Sequence, residues 1–224
     1  MLTGCRRRIS RVEGNGALAE QFDDLAQQHE AASLGMWVFL VTEILFFGGL
    51  FAGYTVYRAT YSEAFREASH HLDLLLGSIN TAVLITSSLT MAFAVHNAQE
   101  GRRRALIVFL LLTMIIGAVF LGIKITEYAH KYEQDLVPGI RFAYSGPHPG
   151  QVQLFLIFYF VLTSLHALHL TIGIGLLGVL AFMAWRGHFS AAYYAPVETS
   201  GLYWHFIDIV WIFLFPLLYL IGTH

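Results

Sequence analysis

The sequence is short of charge, of cysteine and of proline. Asp, Glu, Lys and Arg make up 12% of its 224 residues, about half the share of an ordinary soluble domain, which excludes a water-exposed globular surface over most of its length. A single cysteine, Cys5, excludes an intrachain disulfide and any cysteine-based metal motif. Five prolines leave long stretches free to be helical. A formal net charge of −2 argues against a nucleic-acid partner, which calls for a basic surface. What the chain has instead is hydrophobic residues, 56% of the total, with a mean hydropathy of +0.59.

Those apolar residues collect into runs near or above the roughly 20 residues that cross a bilayer. Five transmembrane helices are expected, at 34–57, 72–95, 105–128, 152–185 and 197–221, giving an all-α, polytopic membrane protein. The fourth exceeds a straight crossing, so it is expected to tilt or project beyond the bilayer. Pro147, Pro149 and Gly150 before it, and Pro196 after it, mark turns ahead of helices. Residues 1–33 read as a polar N-terminal arm and 34–224 as the membrane domain. No short apolar segment follows Arg6, Arg7, Arg8 and Arg11 directly, which argues against a cleaved signal peptide. The stretch 16–29 is compatible with a surface helix or a disordered arm.

Orientation follows from the basic residues. With the N-terminus inside, Arg6, Arg7, Arg8, Arg11, Arg102, Arg103, Arg104 and Arg186 are cytoplasmic, whereas Arg58, Arg66, Lys131 and Arg141 are outside. The twofold excess favours N-in and C-out. No internal repeat is visible, so an inverted-repeat transporter has no support here.

Ionisable side chains within the apolar runs are the candidate functional groups, because each is costly in hydrocarbon. Glu43 falls about 14 Å along the first helix. It is expected to carry its proton at neutral pH unless paired, and either a hydrogen bond to a neighbouring helix or a part in proton handling or lipid-headgroup binding suits it. His166 and His169, three apart, share a helix face. A metal or haem would draw further ligands that this helix does not offer, which favours interhelical hydrogen bonds. Glu198, His205 and Asp208 lie seven and three residues apart, forming a stripe on the last helix. Aligning the spans places Glu43, His166, His169, His205 and Asp208 at similar depth, so one buried polar cluster is expected, either structural or proton-coupled. Lys124 and Glu127 sit toward the outer end of the third helix, where an interfacial anchor with a snorkelling lysine is expected and Lys131 adds an i,i+4 partner to Glu127. Trp37, Trp185, Trp204 and the tyrosines are expected to supply an aromatic belt. Glycines at 48, 49 and 53 and at 173, 175 and 178 permit close helix approach.

Four ordered stretches then carry a family resemblance. They are Leu34-Gly-Met-Trp-Val-Phe-Leu-Val-Thr-Glu43-Ile-Leu-Phe-Phe47, Phe120-Leu-Gly-Ile-Lys124-Ile-Thr-Glu127-Tyr128, Thr163-Ser-Leu-His166-Ala-Leu-His169-Leu-Thr-Ile-Gly173 and Tyr203-Trp-His205-Phe-Ile-Asp208-Ile-Val-Trp211. Together they resemble subunit III of the haem-copper respiratory oxidases, in its short five-helix bacterial form. Ser164 and Ala167 stand where the family has glycines, a change that alters packing around the histidine pair.

The resemblance implies a non-redox accessory subunit of a proton-pumping cytochrome c or quinol oxidase in the bacterial cytoplasmic membrane. Haem and copper would then reside on partner subunits, subunit I would be the main partner, and phospholipid would be bound. Glu43, Lys124, Glu127, His166, His169, Glu198, His205 and Asp208 would be structural, lipid-contacting or proton-modulating rather than catalytic. Other readings are an accessory subunit of a nitric oxide reductase, a stand-alone ion transporter and a haem-carrying membrane cytochrome.

Overall fold

Hydrocarbon offers no water to an open peptide group, so a chain crossing it must close its backbone hydrogen bonds locally, and a helix does this within one segment. The computed structural model describes residues 25–139, 141–191 and 193–220. It contains α1 (Leu25–Thr60), α2 (Ser62–Ser69), α3 (Leu74–Gln99), α4 (Arg103–Glu133), β1 (Leu136–Val137), β2 (Arg141–Phe142), α5 (Pro149–Arg186) and α6 (Ala195–Tyr219). Five of these, α1, α3, α4, α5 and α6, are long and apolar enough to span a membrane. The chain is therefore an all-α, multi-pass membrane protein. At 38 residues, α5 runs about 57 Å against a hydrocarbon core of about 30 Å, so it projects beyond the bilayer.

The helix ends follow local chemistry. Past α3, Gly101 takes φ +70°, its N–H reaches the Ala98 carbonyl, and the Arg102 N–H reaches that of Asn97 at 2.9 Å. This αL closure satisfies carbonyls that the helix leaves open and turns the chain back at once. Gly187 ends α5 the same way, at φ +82°. At the opposite end of the bundle, α2 and the β1–β2 pair were not anticipated, being too short to give a hydropathy signal. They close the gap between the spans: Phe65 of α2 is fully buried and packs edge-on to Phe155 of α5, with ring centroids 5.5 Å apart. Tyr144, just past β2, donates to Glu67 of α2 at 2.7 Å.

The first helix begins at Leu25, so it takes in nine residues expected in the polar arm. Gln, Glu and Ala in this stretch are good helix formers, and His29 is tied to Glu198 of α6 at 2.9 Å. Residues 1–24, which hold the rest of that arm, and 221–224, where the fifth expected span ends, lie outside the described residues.

The core is centred on α6, which packs against α3, α5 and α1. Over its most apolar 18 residues 56% are buried, against 11% for α1, so the chain itself leaves most of α1 uncovered. Trp204, expected in an interfacial belt, is instead completely buried. Its indole fits against Gly117 of α4 and Gly173 of α5 and donates to the Ser87 hydroxyl of α3 at 3.1 Å. One side chain thereby joins four helices. The two glycines are what leave it room, since a β-carbon on Gly117 would lie 2.9 Å from the indole.

This packing predicts opposite outcomes for two glycines on one helix. Gly117→Ala has to displace an enclosed Trp204 and should destabilise the bundle by about 1 to 3 kcal/mol. Gly122→Ala, with nothing within 4 Å of the new carbon, should be neutral or stabilising by up to about 1 kcal/mol. Thermal unfolding of the two variants in detergent checks both, and equal midpoints would refute the Trp204 wedge.

Candidate functional site

The polar groups buried in the bundle form separate sets rather than one cluster. The largest lies where α4, α5 and α6 meet. Lys124 Nζ is 2.9 Å from Glu127 Oε2, and both side chains are only 2% exposed. Lys124 also donates to Tyr219 Oη at 2.9 Å and to Tyr159 Oη at 3.3 Å. Both phenols in turn donate to Glu127 Oε1, at 2.8 and 2.6 Å. Three ammonium protons and both carboxylate oxygens are thus engaged, and the faces of Tyr128, Tyr159, Trp211 and Tyr219 lie 5.0–5.6 Å from the ammonium. Such full satisfaction is what makes a buried ion pair tolerable.

This corrects the expected snorkelling anchor. Lys124 is about 14 Å of helix from the end of α4, and it turns inward because the tyrosines of α5 and α6 offer acceptors there. Lys131 donates to the His71 carbonyl and toward Gln134 at 3.4 Å.

A second set joins α1 to α5. His169 Nε2 is 3.1 Å from Glu43 Oε2, His169 Nδ1 is 2.8 Å from the Leu165 carbonyl, and Tyr203 donates to the His169 carbonyl at 3.0 Å. A carbonyl only accepts, so Nδ1 carries a proton. The second contact then needs exactly one more, shared between Nε2 and Oε2: either Glu43 is protonated and donates, or His169 is cationic and donates to a carboxylate. Each form places one proton between the two helices.

The remaining candidates go different ways. His166, one helix turn from His169, points to the opposite neighbours. It is 1% exposed, lies against Phe120 and Trp211 with ring centroids 5.4 and 5.2 Å away, and neither ring nitrogen has a hydrogen-bond partner among the described residues. His205 Nδ1 is 2.8 Å from Ser88 of α3. Asp208 is 4% exposed and borders a cavity of about 290 Å³ between α3 and α6. Glu198, at the other end of the stripe, pairs with His29 at the bundle's edge. The single cluster expected from depth alone is therefore divided, because equal depth does not fix which side of a helix faces which neighbour. Among the described residues no group of three or more His, Cys, Asp or Glu side chains gathers as a cation site.

Several contributors gave no sequence signal. Tyr159 and Tyr219 fell among the tyrosines expected in the belt, His29 fell in the arm, and Ser88 and Thr81 were not singled out. Each acquires its role from a partner on another helix, as when Trp211 Nε1 donates to Thr81 at 3.0 Å.

Two predictions follow from these geometries. Lys124→Met strands Glu127 and should cost about 3 to 5 kcal/mol, and Glu127→Leu strands Lys124 at similar cost. The double variant should lose well under the sum, and additive shifts in a thermal double-mutant cycle would exclude the coupling. Glu43→Gln can still donate from its amide to Nε2, so it should lose less than about 1 kcal/mol, whereas Glu43→Leu leaves Nε2 unpaired and should lose about 1 to 3 kcal/mol. Equal unfolding midpoints for those two would contradict the hydrogen bond between residue 43 and His169.

The family described as Cytochrome c oxidase subunit III matches residues 21–223. The chain is 33% identical over 191 residues to a quinol oxidase subunit 3 of Bacillus spizizenii, covering 84% of this chain and 86% of that protein. It is 34% identical over 200 residues to a cytochrome c oxidase subunit 3 of Thermostichus vulcanus, covering 88% and 92%. A third relative, a cytochrome c oxidase subunit 3 of a Synechocystis species, is 36% identical over 195 residues, covering 84% and 74%. The chain, with its five membrane-length helices, belongs to the subunit III family of the haem-copper respiratory oxidases, as an accessory subunit of a terminal oxidase complex.

Proposed function

We propose that the chain is a non-catalytic subunit of a proton-translocating oxidase in a bacterial cytoplasmic membrane, seated against subunit I with haem and copper on the partner subunits. The observation that carries this reading is how the ionisable groups in the spans are used. Lys124 and Glu127 satisfy each other and two tyrosines, His169 uses both ring nitrogens on Glu43 and Leu165, and His205 bonds Ser88. These are the contacts of a scaffold, which fixes helix positions for a neighbour that performs the chemistry. The proton held between Glu43 and His169 gives the subunit a means of supporting proton uptake.

Phospholipid fits the reading as well. An apolar groove of about 380 Å³ between α1 and α6, lined by Trp37, Ile44, Phe47, Gly48, Phe206 and Phe213 among others, suits an acyl chain. The N-in and C-out orientation rests on the basic residues, with Arg102, Arg103, Arg104 and Arg186 at the bundle end that also holds Glu198.

Relatives are named both as quinol and as cytochrome c oxidase subunits, so a quinol oxidase is the second reading. One experiment tests both. The tagged chain, isolated in mild detergent, should bring down a large multi-span partner with haem and copper, visible by mass spectrometry and in a reduced-minus-oxidised spectrum. The partner's sequence then gives the donor class. A nitric oxide reductase partner would replace the oxidase reading. Isolation of the chain alone would overturn the accessory role; a haem band on it would then indicate a cytochrome, and ion flux after reconstitution a transporter.

A further inference from the structure

Four arginines gather at one end of the bundle, around a cavity that the scaffold role does not use. Arg102, Arg103 and Arg104, with Ala105, Ile107 and Trp185, line about 680 Å³ between the start of α4 and the end of α5. Arg103 donates from Nε to the Ala184 carbonyl at 2.7 Å and from Nη2 to the Trp185 carbonyl, which holds the end of α5 against the start of α4. Arg102 Nη1 is 3.0 Å from Glu100 Oε2. Arg104 is exposed and has no ion pair or hydrogen bond among the described residues. Arg186 follows Trp185 directly, with its guanidinium 5.0 Å over the Phe182 ring. Glu100 offsets one of these four charges, so the surroundings of the cavity are net positive.

Below the arginines the same two helices form an apolar crevice. Ile107, Leu111 and Met114 fall at i, i+4 and i+7 of α4, and Trp185, Phe182 and Gly178 at i, i−3 and i−7 of α5, so each set lies on one helix face. The two rows run side by side. Ile107 and Trp185 both line the cavity, and two turns further in Met114 Cε is 3.5 Å from where a β-carbon on Gly178 would stand. Trp185, Phe182 and Leu111 are 62%, 52% and 46% exposed, so the crevice opens away from the bundle. The site is thus cationic at its mouth and apolar for about 10 Å below it.

Depth decides the class of ligand. With 31 residues, α4 is about 46 Å long, which matches a bilayer of about 40–45 Å with its headgroups. Its first turn therefore lies among the headgroups and the crevice among the acyl chains. A ligand that suits both parts carries an anion at headgroup depth on an apolar chain. A phosphodiester suits the mouth, because a guanidinium offers it paired N–H donors and basic pockets between spanning helices select acidic headgroups. Free phosphate could use the mouth but would gain nothing from Leu111 or Phe182. A zwitterionic lipid would bring its own cation to a cationic site. We propose that this α4–α5 site binds an anionic phospholipid in preference to a zwitterionic one, with Arg104 and Arg102 on the phosphate and an acyl chain along Leu111 and Phe182. It is separate from the α1–α6 groove, and it stands whichever oxidase the chain serves.

The test is photo-cross-linking with the chain in the complex it is isolated with, reconstituted into vesicles of equal parts phosphatidylglycerol and phosphatidylcholine. p-Benzoylphenylalanine replaces Leu111 in the crevice or, as a control, Leu45 on the uncovered face of α1, and mass spectrometry gives the ratio of the two lipids among the adducts. At position 111 phosphatidylglycerol should be favoured at least threefold over the supplied mixture, with no such preference at position 45. Arg104→Gln, at an exposed and unpaired residue, should abolish the preference. Excess inorganic phosphate at constant ionic strength should leave it unchanged. A ratio at position 111 equal to the supplied mixture, or one that Arg104→Gln does not alter, overturns the proposal. So does loss of the preference to inorganic phosphate, which would mark a site for soluble anions, or a peptide as the main adduct, which would mark a partner helix in the crevice. The ratio in the otherwise unaltered chain stands even if Arg104→Gln fails to assemble. None of these readouts depends on which partner subunits are recovered, so they are told apart from failure of the accessory-subunit reading.

Discussion

A lysine and a glutamate buried within a membrane bundle are tolerable only as a completed set, and the rest of this structure is arranged so that the set is complete. Lys124 and Glu127 lie on one helix, three residues apart, but their mutual contact leaves one carboxylate oxygen and two ammonium protons unserved. Tyr159 from α5 and Tyr219 from α6 serve them. Since an open polar group in hydrocarbon costs several kcal/mol, the pair acts as a lock on the relative position of three helices. A one-residue rotation of any of them breaks at least one of these bonds.

Packing and polarity reinforce each other around that lock. Trp204 occupies the space left by Gly117 and Gly173, which brings α4, α5 and α6 to the spacing at which the tyrosines reach Glu127. The indole N–H then extends the assembly to α3 through Ser87. By comparison α1 is lightly held. It meets α6 along one face and α5 through the Glu43–His169 contact and the rings of Phe47, Tyr54 and Tyr57 against His169, Phe155 and Phe158, with little of its apolar surface covered. The fold is thus a tight four-helix body with a fifth helix joined to it by the Glu43–His169 and Tyr54–Leu217 hydrogen bonds and by ring contacts from Phe47 and Tyr54.

Much of this was legible in the sequence, for a physical reason: the burial of about 20 consecutive apolar residues is decided by transfer free energy alone, and hydropathy reads it without knowledge of neighbours. The five spans followed, as did the excess length of α5. Glu43 and His169 were both visible as costly residues at matching depth, and they do meet. What the sequence withheld was azimuth. His166 and His169 share a helix face in one dimension, yet one turns to Trp211 and the other to Glu43. Lys124 looked like an anchor because a lysine near a helix end usually snorkels, and the tyrosines that draw it inward are 35 and 95 residues away. The α2 segment and the β1–β2 pair were missed because elements so short are specified by what they cover, Phe65 over Phe155 being an example.

The three carboxyls within the spans therefore differ in how their cost is offset. Glu127 is offset by an ammonium and two phenols from three helices. Glu43 is offset by one histidine of a neighbouring helix, with one proton between them. Asp208 is enclosed beside the α3–α6 cavity, with Ser88 as its near neighbour and His205 bonded to Ser88 in turn. In a lipid environment, where apolar contact between helices has little hydrophobic driving force, such bonds between helices decide which faces meet and in what register.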